Sequence, residues 1–309
     1  MNPSSSYVVV TAAFNERTHI EQAIFSILSQ TVHPEKWIIV SDGSTDGTDD
    51  IVTNYSAEYD FIQLCRLSED HPRNFAAQVN AINRGFALLE SASYRFIGNM
   101  DADITLEPNY FARLLDKFAR DPELGLGGGA IFEQSGDGSF KARRANSVSS
   151  VAHACQLFRR ECFAAIGGAY LALPYGGPDT HAEVVARMKS WRVESFNDLK
   201  VFHHRRTGSV GGVLRGLFRQ GKMDYSLGTL PLFEIFKLFR RVWMRPYMIG
   251  SITRLAGFLD SYWRRENRAV PEEVVLYFRG EQRQRLARLF PYSLSAQYSR
   301  RRHIRLRRD

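Results

Sequence analysis

From Tyr7 to about Phe132, apolar residues fall into short runs that alternate with amphipathic stretches. Runs such as Val8–Val10 are rich in β-branched residues and too short for a helix, so they predict strands. Apolar residues spaced three and four apart between these runs predict helices with one buried face. The predicted strands cover 8–10, 37–41, 62–67 and 96–100, and the predicted helices cover 20–28, a segment through Ile51 and Val52, 75–89 and a segment opened by Pro108. This order of elements predicts an α/β fold.

The pattern is weaker after Gly125 and changes again after the glycine loop at 208–212. Strands are predicted near 126–132 and 154–158, a helix over 179–189, and two separate strands at 193–196 and 201–204. A basic amphipathic helix is predicted to begin near Pro231 and to end before Pro246, with one face formed by Leu232, Ile235, Phe236, Phe239 and Trp243. We therefore expect two domains: 1–206, which carries the sheet, and 207–309, which is basic and mainly helical with an arginine-rich tail.

The net charge of +8 conceals two regions of opposite sign. Residues 1–200 hold 18 lysines and arginines against 25 acidic residues, whereas residues 201–309 hold 23 against 8. An acidic region fits a site for a metal cation, and a basic region fits an anionic partner such as phosphate, lipid headgroups or nucleic acid. The longest uncharged run, Cys162–Pro178, is broken by glycine and proline, so no membrane-spanning helix is expected. The first residues lack the pattern of a secretory signal, which favours a cytoplasmic location.

Polar residues follow three of the predicted strands, where an open α/β sheet binds its ligands. They are Thr11–Glu16 after the first strand, Ser41–Gly47 after the second and Asp101–Asp103 after the fourth. Neither a Gly-x-Gly-x-x-Gly turn nor a Gly-x-x-x-x-Gly-Lys sequence follows the first strand, which argues against a dinucleotide site and a P-loop. If the sheet is parallel, the three segments lie at one edge and form one site.

Two of these segments carry candidate ligands. Asp101 and Asp103 place two carboxylates near one point, where Mg²⁺ or Mn²⁺ can bridge them to diphosphate oxygens; the alternative is an ordinary loop or cap. His203 and His204 can supply an imidazole to complete such a site, or they form a histidine pair at the surface. Asp42 lies in a glycine-containing turn, where its carboxylate either accepts an N–H from a pyrimidine base or serves the turn alone.

Several segments, taken in order along the chain, resemble one known family. VVVTAAFNE, SILSQT, WIIVSDGSTDGT and FIGNMDADI are similar to the nucleotide-binding half of glycosyltransferase family two, over about residues 7–206. The resemblance implies a GT-A fold, a Rossmann-like mixed sheet flanked by helices, followed here by a helical extension. It implies that Asp42 contacts the base and that Asp101, Asp103 and His203 hold the metal. The implied nucleotide-sugar site consists of Thr11, Phe14, Asn15, Glu16, Asp42, Arg73, Asp101, Ala102 and Asp103.

The same resemblance indicates where the catalytic base lies. The family places a Glu-Asp pair at the start of a helix, and the matching stretch here is Gly176–Glu183. Asp179 occupies the second acidic position and is the expected base, although Pro178 replaces the usual glutamate. Glu183 lies one helical turn later, so it is either a substitute base or a structural partner of Arg187; we favour the structural role.

The basic region leaves several alternatives open. Arg215 and Arg219 either contact the diphosphate or the acceptor, or lie on a solvated helix face. His204 is a further candidate for contact with the diphosphate or the acceptor. The sequence Arg219-Gln220-Gly221 replaces the Gln-x-x-Arg-Trp motif of processive family members and resembles nonprocessive exopolysaccharide enzymes. The helices around 232–243 and 248–263 either bind an anionic membrane surface or pack on the first domain or in a homodimer. No nucleic-acid partner is expected, because the basic residues come without a recognisable nucleic-acid module.

The sequence therefore predicts an inverting, metal-dependent glycosyltransferase of exopolysaccharide or cell-envelope synthesis. The expected donor is a nucleoside-diphosphate sugar, with UDP favoured and GDP or dTDP open, and the expected acceptor is a glycan or a lipid-linked molecule. The expected location is cytoplasmic, with peripheral attachment to the inner face of the membrane as one option. The alternative is a noncatalytic protein of the same fold that binds a nucleotide or a membrane surface.

Overall fold

The computed structural model describes residues 6–67, 75–89, 92–143, 147–205, 212–243 and 246–289. The chain divides into two compact units, Met1–Ser209 and Val210–Asp309. The first unit contains the sheet, and the second contains helices only among its described residues.

Four parallel strands form the first half of the sheet. They are β1 (Tyr7–Ala13), β2 (Lys36–Ser41), β3 (Ile62–Arg66) and β4 (Phe96–Met100), and β1 lies between β2 and β4. The connecting helices are α1 (Ile20–Leu28), α2 (Thr48–Glu58) and α3 (Phe75–Ala87). The predicted order of elements is confirmed, because long apolar runs and regular helical spacing are the strongest signals in a sequence.

The second half makes the sheet mixed. The further strands are β5 (Ile104–Leu106), β6 (Leu124–Gln134), β7 (Phe140–Ala142), β8 (Cys155–Arg159) and β9 (Arg192–His203), and the helices are α4 (Tyr110–Arg120), α5 (Arg160–Ala165) and α6 (Pro178–Met188). Over the described residues the strand order is β3-β2-β1-β4-β8-β6-β9-β5, with β7 paired to β6. The strand β8 runs antiparallel to both β4 and β6, and β5 runs antiparallel to β9.

The expectation of two separate strands at 193–196 and 201–204 is wrong. One long strand, β9, covers both segments, because its pairing with β6 jumps from Gly129 opposite Phe196 to Ala130 opposite Lys200. The residues at 197–199 form a bulge, which interrupts the apolar alternation without ending the strand. The bulged strand carries its last residue, His203, to a position opposite Ile104 of β5.

Helices cover both faces of the sheet. Alternate residues of β1 enter two different apolar clusters: Tyr7 and Val9 pack with residues of α1, α2 and α4, whereas Val8 and Val10 pack with residues of α3, α5 and α6. Strands β4 and β8 approach closely at Gly98, where a Cβ atom would lie 2.0 Å from the carbonyl oxygen of Gln156. The mixed sheet flanked by helices confirms the predicted architecture of this unit.

The second unit contains α7 (Val213–Ser226), α8 (Pro231–Arg241), α9 (Ile249–Trp263) and α10 (Glu272–Leu289). Helices α7 and α9 touch backbone to backbone, because a Cβ atom at Gly221 would lie 1.9 Å from the carbonyl oxygen of Arg254, and one at Gly257 would lie 1.9 Å from that of Phe218. Among the described residues we find no helix that combines the length and the apolar character needed to cross a membrane.

Candidate active site

The three polar segments predicted from the sequence lie at one edge of the sheet. Each lies at the carboxyl end of one of the neighbouring parallel strands β1, β2 and β4. Strand β1 runs further than predicted, so Thr11 lies within it, and Ser41 is the last residue of β2. The loops after β1 and β2 are joined by hydrogen bonds: the Asn15 side chain accepts from the Thr45 N–H at 2.8 Å, and the Glu16 N–H donates to the Thr48 hydroxyl at 2.9 Å. Asn15 has a φ of 52°, which an asparagine tolerates better than most residues. The two loops therefore form one connected wall.

The other predicted residues of this wall have different environments. Thr11 is fully buried, and its hydroxyl accepts a hydrogen bond from the Trp37 indole N–H at 2.9 Å. Phe14 is exposed, with 38% of its surface accessible. The Asp42 N–H donates to the carbonyl of Ala13 at 2.9 Å, which brings the turn after β2 against the end of β1. Thr11 thus supports the wall from within, whereas Phe14 faces solvent.

An acidic cluster lies where β4 and β9 end and β5 begins. Asp101 and Asp103 follow β4, and His203 ends β9; their candidate ligand atoms all lie within 4.8 Å of one another. The His203 Nε2 atom is 3.1 Å from Asp103 Oδ1. Ala102, between the two aspartates, is buried among apolar residues. Because the β9 bulge and the β5 pairing set the position of His203, residues a hundred positions apart in the chain meet at this point.

The pKa values of the two aspartates in the cluster are shifted in opposite directions. Burial raises the pKa of Asp101, and the nearby negative charge of Asp103 adds to the effect. Burial also acts on Asp103, but the hydrogen bond and positive charge of His203, together with Arg205, outweigh it and hold the Asp103 pKa below its usual range. Although burial alone would lower the His203 pKa, the hydrogen bond to Asp103 raises it overall. Asp103 is therefore the more readily ionised of the two aspartates.

Sequence reasoning did not single out Arg205. Its guanidinium forms a two-pronged ion pair with Glu16, at 2.9 Å and 2.6 Å, and its Nε atom lies 3.7 Å from Asp103 Oδ2. Burial is the main influence on Glu16 and raises its pKa despite the Arg205 contact. Arg205 thus links the loop after β1 to the acidic cluster. The one feature of the sequence that pointed to Arg205 was its position directly after His203 and His204.

Two further residues near Asp101 were also missed as site residues. The Gln78 side-chain amide donates to Asp101 Oδ1 at 3.3 Å, and His153 Nδ1 lies 4.0 Å from the same oxygen. The Nε2 atom of His153 is buried without a hydrogen-bond partner among the described residues. Neither residue stands in a motif, and only the folding of α3 and of the segment before β8 brings them to the end of β4.

The segment predicted to hold the base opens helix α6. Gly177 precedes the helix with a φ of 90°, Pro178 is its first residue, and Asp179 follows. The Asp179 carboxylate accepts a hydrogen bond from the Thr180 N–H at 2.8 Å and is half-buried. Its negative charge contributes to the raised pKa of Asp101, so the two carboxylates are electrostatic neighbours. The role of Asp179 as the base stays a prediction.

Glu183 has a different environment one turn further along α6. Only 3% of its surface is exposed, and burial raises its pKa to about 8. Its Oε1 atom accepts hydrogen bonds from the Val151 N–H at 2.7 Å and the Ser150 hydroxyl at 3.0 Å, and Arg187 lies 3.6 Å from Oε2. These contacts attach the segment before β8 to α6, which supports the structural role we favoured.

The remaining predicted site residues are not part of the cluster as described. The His204 Nε2 atom lies 2.9 Å from the Thr105 hydroxyl, and the His204 ring packs edge-on against Phe140. Arg73 lies outside the described residues. Arg215 and Arg219 lie on α7 of the second unit, and their contacts with a diphosphate or an acceptor stay a prediction.

Solved structures with the same fold were found by structural comparison. Mannosyltransferase PcManGT from Pyrobaculum calidifontis, in complex with GDP-Man and Mn²⁺, gives a TM-score of 0.57 at 15% identity and covers 85% of this chain and 89% of that chain. TarS 1–349 of S. aureus, in complex with UDP-GlcNAc, gives 0.57 at 14% identity and covers 87% of this chain and 82% of that chain. The fold is that of the GT-A glycosyltransferases.

Sequence comparison identifies the family. The model of Glycosyl transferase family 2 matches residues 8–169, more than half of the chain, and the chain belongs to this family. Poly-beta-1,6-N-acetyl-D-glucosamine synthase of Staphylococcus aureus (strain COL) is 29% identical over 114 residues, which are 37% of this chain and 26% of that synthase. The corresponding synthase of Staphylococcus epidermidis is 27% identical over the same length. The match thus spans only about a quarter of these curated relatives. The protein is a family 2 glycosyltransferase, as predicted.

Proposed function

We propose that this glycosyltransferase moves a sugar from a nucleoside-diphosphate donor to a glycan or lipid-linked acceptor, with inversion at the anomeric carbon and with the help of a divalent metal. The observation that carries the proposal is the cluster of Asp101, Asp103 and His203 at the carboxyl ends of parallel strands, with Asp179 as an electrostatic neighbour. The cluster supplies ligands for a cation, and Asp179 supplies a base beside it.

The residues present fit Mg²⁺ or Mn²⁺. Carboxylate oxygens are the ligands that both ions prefer, and an imidazole nitrogen suits Mn²⁺ better than Mg²⁺. Asp101, Asp103 and His203 would hold the ion, which when bound neutralises the negative charge that develops on the leaving diphosphate. We favour Mn²⁺ because His203 is one of the three grouped side chains.

The chain's own residues bind the donor and handle the proton. The wall of the loops after β1 and β2, with Phe14, Asn15 and Asp42, faces the nucleotide; Asp42 accepts an N–H of the base, while Thr11, Glu16 and Ala102 hold the wall and the cluster in place. The oxygen of the acceptor hydroxyl attacks the anomeric carbon, and Asp179 accepts the proton of that hydroxyl. The bond from that carbon to the diphosphate breaks in the same step, so a single displacement inverts the centre.

The nucleotide and the acceptor are proposed from the relatives. UDP is favoured because TarS 1–349 was solved with UDP-GlcNAc, although PcManGT was solved with GDP-Man. The similarity to poly-beta-1,6-N-acetyl-D-glucosamine synthase supports a role in exopolysaccharide or cell-envelope synthesis. In place of a processive motif, Gln220 accepts a hydrogen bond from Arg254 at 2.7 Å and Gly221 allows close helix packing, which supports transfer of one sugar per encounter.

Thermal melting with nucleotides tests the donor site. The full chain is melted with UDP, GDP or dTDP, each with and without Mn²⁺. We expect a higher Tm with UDP only when the metal is present, since a ligand at 100 times its Kd adds about 2.7 kcal/mol to stability. Absence of a shift with every nucleotide would overturn the donor site, and a shift that is independent of metal would overturn the role of the cluster.

Replacement of the base tests the reaction. Asp179→Asn should abolish transfer from the donor identified by melting, while the Tm shift with nucleotide and metal is retained. Asp116→Asn is the matched control, because Asp116 is a surface carboxylate of the same unit that pairs with Arg120 on α4. Transfer that survives in Asp179→Asn at the control's rate would exclude Asp179 as the base.

A further inference from the structure

Helix α9 has an unusual distribution of side chains. The residues buried within the second unit are small or polar, apart from Phe258: Gly250, Arg254, Gly257 and Ser261. Its solvent-facing side carries large apolar residues instead, with Ile249, Ile252 and Trp263 exposed by 57%, 62% and 74%. A helix of a water-soluble protein normally has the opposite arrangement, whereas small residues at helix contacts and apolar residues outside are typical of helices that face lipid.

Helix α8 presents a second apolar stripe. Leu232, Ile235 and Phe239 lie three and four residues apart on one face, and Trp243 continues the stripe beyond the helix. All four are exposed, Phe239 by 77% and Trp243 by 79%. Helix α8 instead buries Glu234 and Leu238. The stripe itself contains no charged residue.

The two stripes meet at the connection between the helices. Phe239 and Trp243 end the first stripe, and Met248 and Ile249 begin the second. The Met248 N–H donates to the Val242 carbonyl at 3.0 Å, and the Ser251 hydroxyl of α9 donates to the Leu238 carbonyl of α8 at 3.2 Å. We call the exposed residues Leu232, Ile235, Phe239, Trp243, Met248, Ile249, Ile252 and Trp263 the α8–α9 face.

The charges of the unit favour an anionic partner for this face. Residues 210–309 hold 21 lysines and arginines against 8 acidic residues. Within the described residues, Asp224 and Glu234 pair with Lys237 and Arg254, and Asp260 and Glu266 share Lys222. Arg240 lies beside the stripe, exposed, with its guanidinium 5.9 Å from the centre of the Phe236 ring. An apolar face with one tryptophan where its two stripes meet, another at the end of α9 and Arg240 beside it fits the headgroup region of an anionic bilayer.

We propose that the α8–α9 face inserts into the surface of an anionic lipid bilayer. Phe239, Trp243 and the start of α9 enter the boundary between headgroups and acyl chains. Arg240, beside the stripe, contacts a lipid phosphate. Such attachment would hold the enzyme at the surface where a lipid-linked acceptor lies. The membrane contact does not depend on the proposed transfer reaction, since vesicle binding is measured without donor or acceptor.

Vesicle sedimentation of the full chain tests the proposal. We expect binding to vesicles of phosphatidylcholine mixed with phosphatidylglycerol, and weaker binding to phosphatidylcholine alone. The double variant Ile235→Ser/Phe239→Ser should bind the anionic vesicles about tenfold or more weakly, because each side chain loses its transfer into the apolar layer. The control is Phe25→Ser, a residue of α1 in the first unit that is 53% exposed. It should bind as the unaltered protein does.

A second readout keeps the result interpretable. Vesicles with brominated acyl chains should quench tryptophan fluorescence, and Trp243→Phe should remove part of that quenching. Failure to bind any vesicle, or an equal loss in the Phe25→Ser control, would overturn the proposal. Light scattering tests whether the face binds a second copy of the chain instead. The proposal would be overturned if the unaltered protein is a dimer and the double variant is a monomer that binds vesicles equally well.

Discussion

The two units each contain a cluster of charged side chains, and the clusters differ in their balance. In the second unit, Asp224 and Glu234 are paired with Lys237 and Arg254, so two negative charges meet two positive ones, and all but Lys237 are almost fully buried. In the first unit, Glu16, Asp101 and Asp103 face Arg205 and His203, so three carboxylates meet at most two positive charges and the negative charge is in excess even when His203 is protonated.

This difference distinguishes a structural cluster from a binding site. The charges of a buried cluster must balance, because an unpaired charge in the interior is costly. The first-unit cluster lies at the edge of the sheet and keeps an excess of carboxylate oxygens, an arrangement that a divalent cation would complete. The same residue types therefore stabilise one unit and, in the function that we propose, bind a cation in the other.

Breaking the neutral cluster should have the largest effect. Arg254→Met leaves Asp224 and Glu234 with Lys237 alone, and removing one partner of a buried ion pair costs about 3–5 kcal/mol of unfolding free energy. Urea denaturation followed by circular dichroism measures the loss. Arg264→Met is the control, because Arg264 pairs with Asp260 at the surface and should cost about 0.5 kcal/mol or less. Equal losses in the two variants would show that the buried cluster is not a special source of stability.

Removing a carboxylate from the unbalanced cluster should instead affect activity. Asp103→Asn keeps the shape of the side chain but removes a charge that we propose to act on the metal, so transfer should fall about 10²–10³-fold. The Tm without ligands should change little, since the repulsion between Asp103 and Asp101 is relieved as the contact with His203 weakens. Transfer assays and melting of the same preparations measure both. If Asp103→Asn lowers the Tm strongly and leaves transfer normal, the first-unit cluster is the structural one, contrary to our comparison.

The link between the loop after β1 and the cluster should have a smaller effect. Arg205→Lys removes the two-pronged contact with Glu16, because an ammonium group cannot donate in that planar geometry. Metal affinity or transfer should fall about 10–100-fold, as for other residues that orient metal ligands. Titration with Mn²⁺ followed by melting measures the affinity. Arg192→Lys, at a surface ion pair with Asp121, serves as the control and should leave both quantities unchanged.

The sequence predicted those parts of the molecule that depend on local patterns. The four parallel strands, the loops that follow them and the Asp101–Asp103 pair could be read from apolar runs and from short motifs. The family resemblance grouped His203 with the two aspartates, but the direct contact of His203 with Asp103 and the ion pair of Arg205 with Glu16 were found in the structure. These contacts depend on the β9 bulge and on the short strand β5, which no local pattern predicts. Three-residue strands such as β5 and β7 carry too few residues to show an alternation.

Glu183 provides the smallest predicted effect, and it concerns pH. Its pKa of about 8 lies above the ordinary value of 4.5, so between these values the folded chain holds a proton that the unfolded chain has released. The stability from this group is fully present below about pH 4.5 and is lost as the pH rises through about 8, by about 1 kcal/mol between pH 7 and 9. Glu183→Gln keeps an oxygen that can accept from Val151 and Ser150 but cannot ionise. The unfolding free energy of the unaltered protein, compared with that of Glu183→Gln, should therefore fall over this range. A difference that stays constant with pH would mean that Glu183 is already ionised at pH 7 in the folded chain, and that its role in joining α6 to the segment before β8 does not require the proton.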